Sequence, residues 1–148
     1  MSVVVRQAVL EDLDDLVPLF DAYRVFHGQH SDPAAAHAFL LARFDHLESV
    51  IFVARRDRQA VGFTQLFPAF SSLALKRTLI LNDMYVDEQV RGQGVGRALL
   101  EQATAHARRI GALRMVLTAQ ATNTQARKVY EANGWREDPA FAVYYRLL

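Results

Sequence analysis

"VDEQVRGQGVGRALLEQA", residues 86–103, has glycine at every second position from 92 to 96, with Arg91 before the run and Arg97 after it. It follows the apolar stretch "TLILNDMYV" (78–86). It opens a segment in which Val95, Leu99, Leu100, Ala103, Ala107 and Ile110 fall on one helical face. The junction therefore reads as strand, tight turn, helix. The first turn of a helix presents amide N–H groups without internal partners, at the positive end of the helix dipole. With no side chains at Gly92, Gly94 and Gly96, an anion can reach those amides, and Arg91 and Arg97 add charge from the sides. A turn that needs only a positive φ is satisfied by one glycine, so three at alternate positions point to a phosphate seat.

Two common phosphate motifs are excluded by spacing. A P-loop needs Gly-Lys-Ser/Thr, and here Gly96 is followed by Arg97 and Ala98. A dinucleotide fingerprint beginning at Gly92 and Gly94 needs glycine at 97, and an acid on the next strand to hold a ribose. Residue 97 is Arg, and "RMVLTA" (114–119) carries no acid.

Outward from this junction, the remaining pattern is regular. "VVVRQA" (3–8) reads as a strand, and Leu10, Leu13, Leu16, Val17 and Phe20 mark an amphipathic helix with acids in its first turn. "HGQHSDP" (27–33) breaks that helix. Ser31 or Asp32 caps a second one, with Pro33 in its first turn, running towards Leu47. "SVIFVARR" and "AVGFTQLFPAF" form a hairpin across the polar turn "DRQ". Gly111 ends the helix that begins near Val95, and "RMVLTA" reads as a strand buried on both faces. A helix from Asn123 to Asn133 stops at Gly134, and "FAVYYRLL" (141–148) reads as a closing strand. The order β, α, α, β, β, β, α, β, α, β predicts an α/β (α+β) fold of one domain, 1–148. Its mixed, mostly antiparallel sheet is flanked by helices, and a crossover helix makes a central parallel strand pair.

Composition narrows the function classes. The 148 residues are 51% hydrophobic and 22% charged, with a formal net charge of +1. That balance does not support a nucleic-acid binder, which usually shows a basic excess. Cysteine is absent, which removes disulfides, thiolate metal sites and a cysteine nucleophile. The start lacks the pattern of a secretory signal, and no apolar run approaches a membrane span, so a cytoplasmic protein is expected.

"VRGQGVGRALL" resembles motif A of the GNAT superfamily of acyl-CoA N-acyltransferases, with Arg91, Gly94 and Gly96 meeting its Arg/Gln-x-x-Gly-x-Gly/Ala signature. "NTQARKVYEANGW" (123–135) is similar to that family's second signature, an Asn-opened helix carrying Tyr and ending at Gly plus an aromatic. The element order matches along nearly the whole chain. The resemblance implies acetyl-CoA as co-substrate, no metal, and a homodimer. Its pyrophosphate would rest on backbone amides of Arg91, Gly92, Gln93, Gly94, Val95, Gly96 and Arg97. Its pantetheine arm would pair with the strand at Met84, Tyr85 and Val86, next to a β-bulge that the sequence alone does not reveal. Asn123 would touch coenzyme A while capping its helix.

Acetyl transfer to an amine requires a neutral amine, a stabilised tetrahedral intermediate and a proton for the leaving thiolate. Without cysteine, direct attack in a ternary complex is simpler than an acyl-enzyme route. The resemblance assigns Tyr130 as the acid. For the base, the small polyamine acetyltransferases that this region resembles place a glutamate where this chain has Asn82, which orients a water or the amine but cannot take a proton. Asp83 is ionisable, yet strand alternation turns it to the opposite face from Asn82. Asp21, Tyr23, His27 and Asp32, at the first helix and its exit, are the candidate acceptor-binding groups, together with Asn82. They favour a small cationic amine or a lysine-like group. A non-catalytic acyl-CoA-binding domain is the competing class, and acylation of a protein N-terminus or an antibiotic amine is a further alternative. His27 and His30 read as loop surface, His106 as polar helix surface, and Ser71 and Ser72 as a loop.

Overall fold

A computed structural model of the chain describes residues 2–148. It forms two compact units, Met1–Thr118 and Ala119–Leu148, each described in turn.

The first unit is built on strands β1 (Val4–Gln7), β2 (Val50–Arg56), β3 (Gln59–Ser71), β4 (Lys76–Val86) and β5 (Met115–Val116), side by side in that order. The first four run antiparallel, and β5 joins β4 in parallel, with Leu79 opposite Met115 and Ile80 opposite Val116. β2 and β3 are linked through Asp57 and Arg58, both at positive φ (52° and 70°), as a two-residue hairpin turn demands. Pro68 has no N–H to donate, which a strand tolerates only at an edge. It sits beyond the Val50–Leu66 pair where β2 ends, so no neighbour asks for that donor.

Helices α1 (Leu13–Phe26) and α2 (Pro33–Asp45) cover one face. Leu13, Leu16, Val17, Leu19 and Phe20 of α1 and Ala36 and Leu40 of α2 are buried against Ile51, Val53 and Phe63. Asp32 caps α2 by accepting the Ala35 N–H at 3.1 Å, with Pro33 in the first turn as predicted. Helix α3 (Val95–Arg109) packs on the other face through Val95, Leu99, Leu100, Ala103 and Ala107. Gly62 permits that contact. A Cβ there would lie 3.0 Å from the Tyr85 carbonyl oxygen, 3.2 Å from Val95 Cγ1 and 3.3 Å from Leu99 Cδ1.

Three expectations change in this unit. β5 is two residues long rather than six, and Val116 is 44% exposed, so it is not a strand buried on both faces. The apolar run supplied the propensity, but only Met115 and Val116 find ladder partners. His106 does not sit on the polar side of α3, because its ring packs edge-on against Phe52 at 5.7 Å. Burial, with Arg109 nearby, lowers its pKa. Finally, Asp12 is not a dipole-facing surface acid. It is buried, accepts the Val9 N–H at 2.8 Å, and pairs with Arg6 at 2.6 Å and Arg55 at 2.8 Å.

The second unit holds α4 (Thr124–Ala132), capped by Asn123 Oδ1, which accepts the Ala126 N–H at 3.2 Å. Gly134, at φ 91°, ends it, and the Trp135 N–H returns to the Tyr130 carbonyl at 3.1 Å. Arg127 ties the unit together, donating to the Ala121 carbonyl at 3.1 Å and to Glu137 at 3.0 Å. Residues 141–148 form no strand. Phe141, Val143 and Tyr145 alternate as a strand would, but a strand also requires a neighbour's N–H and C=O groups, which local composition cannot supply.

Candidate active site

The glycine turn adopts the conformation its composition asks for. Gly92 and Gly94 have φ of 77° and 85°, and a Cβ on either would meet nothing within 4 Å, so the space above the turn is open. Gly94 is the N-cap of α3, and that helix end has neither a side-chain cap nor an acid in its first turn. The first amide of the helix to bond back is Ala98, to the Gly94 carbonyl at 3.0 Å. Helices α2 and α4 begin on the Asp32 and Asn123 side chains, and α1, which also lacks a side-chain cap, carries Asp14 and Asp15 in its first turn. The start of α3 is thus a set of amides and a helix dipole aimed at open space, which fits a phosphate group. Arg56 holds the turn from outside, donating from Nη1 to Gln93 Oε1. Arg97 pairs with Glu101 at 2.9 Å.

Beside the turn, β4 offers a free edge. The Asp87 N–H bonds to Val61 of the β3 side at 2.8 Å. By alternation the main-chain groups of Val86 and Met84 face away from β3. On that side β5 pairs only Leu79 and Ile80, so among the described residues no strand pairs the edge from Asn82 to Val86. Arg91 Nε donates to the Val86 carbonyl at 2.9 Å, and its guanidinium lies over the rings of Tyr85 (5.4 Å) and Phe26 (5.6 Å).

The third element is a β-bulge. Gln65 faces Asp83 and Leu66 faces Leu81, so Asn82 is an extra residue in β4. The bulge breaks the alternation that would separate residues 82 and 83. Asn82 Nδ2 donates to Asp83 Oδ1 at 2.8 Å, so the two side chains lie together. Asp83 is 5% exposed, and its other oxygen accepts Gln65 Nε2 at 2.5 Å. Gln65 is fully buried and accepts the Ser49 hydroxyl at 2.8 Å.

Residues 13–135 match the Acetyltransferase (GNAT) family. A Bacillus subtilis (strain 168) protein named uncharacterized N-acetyltransferase YhfO is 44% identical over 140 residues, covering 95% of this chain and 94% of its own length. The crystal structure of a probable acetyltransferase is 46% identical with a TM-score of 0.92, covering 100% of this chain and 98% of that one. A ribosomal-protein-alanine N-acetyltransferase from Brucella melitensis biovar Abortus 2308 shares the fold at a TM-score of 0.86 and 21% identity, covering 99% and 100% of the two chains. The chain belongs to the GNAT acetyltransferase family.

In this N-acetyltransferase the residues expected to bind the acceptor are distributed unequally. Both oxygens of Asp21 are engaged, one by the Ser31 hydroxyl at 2.6 Å and one by the Asp32 N–H at 2.7 Å. These bonds, Ser31 foremost, lower its pKa. Asp21 therefore secures the loop between α1 and α2. Tyr23 points to β4, its hydroxyl 3.4 Å from the Asn82 carbonyl; it stacks with Phe20 and meets Phe63 and His27 edge-on. His27 lies against Tyr23 at 4.7 Å and Phe26 at 5.2 Å. Tyr23 and Asn82 are brought together, with His27 behind them.

In the second unit of the acetyltransferase, the Tyr130 ring lies 6.1 Å from that of Trp135. Burial raises the Tyr130 pKa, which keeps the phenol protonated at neutral pH. Sequence reading passed over Gln65, Ser49 and Arg56. A glutamine inside an otherwise apolar strand was the one visible signal for the first of these, since buried amides are retained where they have partners. Nothing local marked the other two.

Proposed function

We propose that this protein transfers the acetyl group of acetyl-CoA to a primary amine by direct attack, with Tyr130 as the acid that protonates the leaving thiolate. The observation that carries the reading is the uncapped, acid-free start of α3 above two left-handed glycines, next to the unpaired β4 edge. In this reading the amides of Arg91 to Arg97 hold the pyrophosphate, the main-chain groups of Met84 and the N–H of Val86 pair with the pantetheine amides, and Tyr85 lines that strand. Acetyl-CoA supplies the acyl group as a thioester. Asn123 caps α4 and contributes a polar contact to coenzyme A. Asn82 orients the amine, with Asp83 as the charge behind it, and Tyr23 and His27 form the wall beside it.

The acceptor in this reading is a small amine, cationic until it loses its proton. Asp21 is committed to the loop, and Asp83, buried with both oxygens bonded to Asn82 and Gln65, acts on the cation through its charge and not by contact. One domain, 1–148, and a homodimer complete the proposal. The test is thiol release from acetyl-CoA across a panel of polyamines, aminoglycosides, amino acids and lysine peptides. Turnover with at least one amine is the expected result. Coenzyme A binding without turnover on any amine would favour the acyl-CoA-binding domain instead.

A further inference from the structure

The polar chain behind Asn82 has a direction, and that direction bears on the amine. Asp83 is buried, and no salt bridge reaches it among the described residues. As a carboxylate it only accepts hydrogen bonds, so each amide facing it must present its NH₂. For Gln65 this fixes Nε2 towards Asp83 and leaves Oε1 for the Ser49 hydroxyl, which donates to it. For Asn82 it fixes Nδ2 towards Asp83 and turns Oδ1 outward. Asn82 is exposed, and Oδ1 has no hydrogen-bond partner among the described residues.

We propose that Ser49, Gln65 and Asp83 form a positioning chain that holds the Asn82 side chain with Oδ1 presented as the acceptor for an N–H of the attacking amine. The proposal rests on the acetyltransferase reading above. A neutral primary amine has two N–H groups and one lone pair, and only the lone pair attacks the thioester carbonyl. A carbonyl oxygen beside the amine engages an N–H and leaves the lone pair free. The opposite rotamer of Asn82 would present N–H groups, which bond to the lone pair and quench the nucleophile. The chain therefore selects the productive rotamer of a residue that cannot itself remove a proton. The amine's proton passes to solvent or to another base. The bulge is what makes the arrangement possible, since a regular strand would put residues 82 and 83 on opposite faces.

The test is a double-mutant cycle on kcat/KM for the best amine, with acetyl-CoA binding measured separately. Gln65→Met keeps the volume and removes both hydrogen bonds. Loss of about one hydrogen bond's worth of orientation corresponds to a fall of about tenfold. Asn82→Ala should give a similar fall, and adding Gln65→Met to Asn82→Ala should cost nothing further, because the chain acts through Asn82. Acetyl-CoA affinity should not move in any variant. A Gln65→Met loss that reappears in full without Asn82 would overturn the proposal, as would a wild-type rate in Gln65→Met. Ser49→Ala, at the partly exposed end, is the milder variant should Gln65→Met fail to fold, and the same cycle applies to it. A readout independent of turnover is the side-chain amide signal of Asn82 in an ¹⁵N-labelled protein. One Nδ2 proton should show a hydrogen-bonded shift that Gln65→Met abolishes. If that signal is present but no amine is acetylated, the acetyltransferase reading fails while the chain stands. If wild-type Asn82 shows averaged, solvent-like protons, the chain itself is wrong.

Discussion

Replacing Gly94 separates charge from shape at the start of α3. Asn and Asp have nearly the same size, and both tolerate a left-handed backbone better than other side chains do. At φ 85° each would carry strain of about 1 kcal/mol, and a Cβ there enters open space. The two variants should therefore fold alike. They differ in one negative charge placed over the amides that the pyrophosphate is proposed to occupy. At ~5 Å and an effective dielectric of about 20, one unit charge repels another by about 3 kcal/mol. Solvent screening at this open site lowers that to about 2 kcal/mol, or about thirtyfold in affinity. Either side chain can accept from a free amide at the N-cap, so that competition is common to both variants and the charge alone separates them. Calorimetric titration with coenzyme A should show Gly94→Asp binding about thirtyfold more weakly than Gly94→Asn, with the gap narrowing as salt is raised. Equal binding by the two variants would mean that no phosphate sits on this helix end.

Other consequences can be checked with standard measurements. Tyr130→Phe should lower kcat by about 10²- to 10³-fold while coenzyme A binding is kept, and an unchanged rate would remove Tyr130 from the chemistry. Gly62→Ala should cost about 1–3 kcal/mol of stability by pushing α3 off the sheet, since the Tyr85 carbonyl and Val95 cannot both give way. A wild-type thermal midpoint would contradict that close approach. Asp12 should tune acid stability. Burial alone would raise its pKa, but the bonds from Arg6, the Val9 N–H and Arg55 outweigh it and bring the value from 3.8 down to about 2. A depressed carboxylate pKa stabilises the fold above 3.8, and the contribution is lost as pH falls through that window to about 2. With Arg6 half-exposed the effect is about 1–2 kcal/mol, so Asp12→Asn should flatten the pH dependence of urea unfolding across that range.

The legible parts of this protein are those in which a local physical demand dictates residue type. The turn before α3 places residues 92 and 94 at positive φ, which calls for glycine. The Asp32–Pro33 start of α2 and the Gly111 and Gly134 stops were visible for the same reason. What could not be read depends on partners distant in the chain. β5 and residues 141–148 have strand-like composition, but pairing decides strands, and pairing is not a local property. Asp12 looked like any first-turn acid until Arg55 arrived from 43 residues away. Asp83 was turned the wrong way on paper because alternation assumes an unbroken ladder. Nothing in "LNDM" signals that Asn82 has no residue opposite it.

That extra residue lies outside the ladder, so chain length at position 82 can change without moving the strand. On the Leu81 side of the bulge β4 is in register with Leu66, and on the Asp83 side with Gln65, its immediate neighbour in β3. Deleting Asn82 would therefore restore a regular ladder in which neither half slips. Leu81 would keep its buried position, and the main-chain groups of Met84 and Val86 would still face the open edge. What the deletion removes is the carbonyl that Tyr23 meets and the side chain that Asp83 holds. A one-residue deletion there should leave coenzyme A binding in place and abolish the handling of the amine.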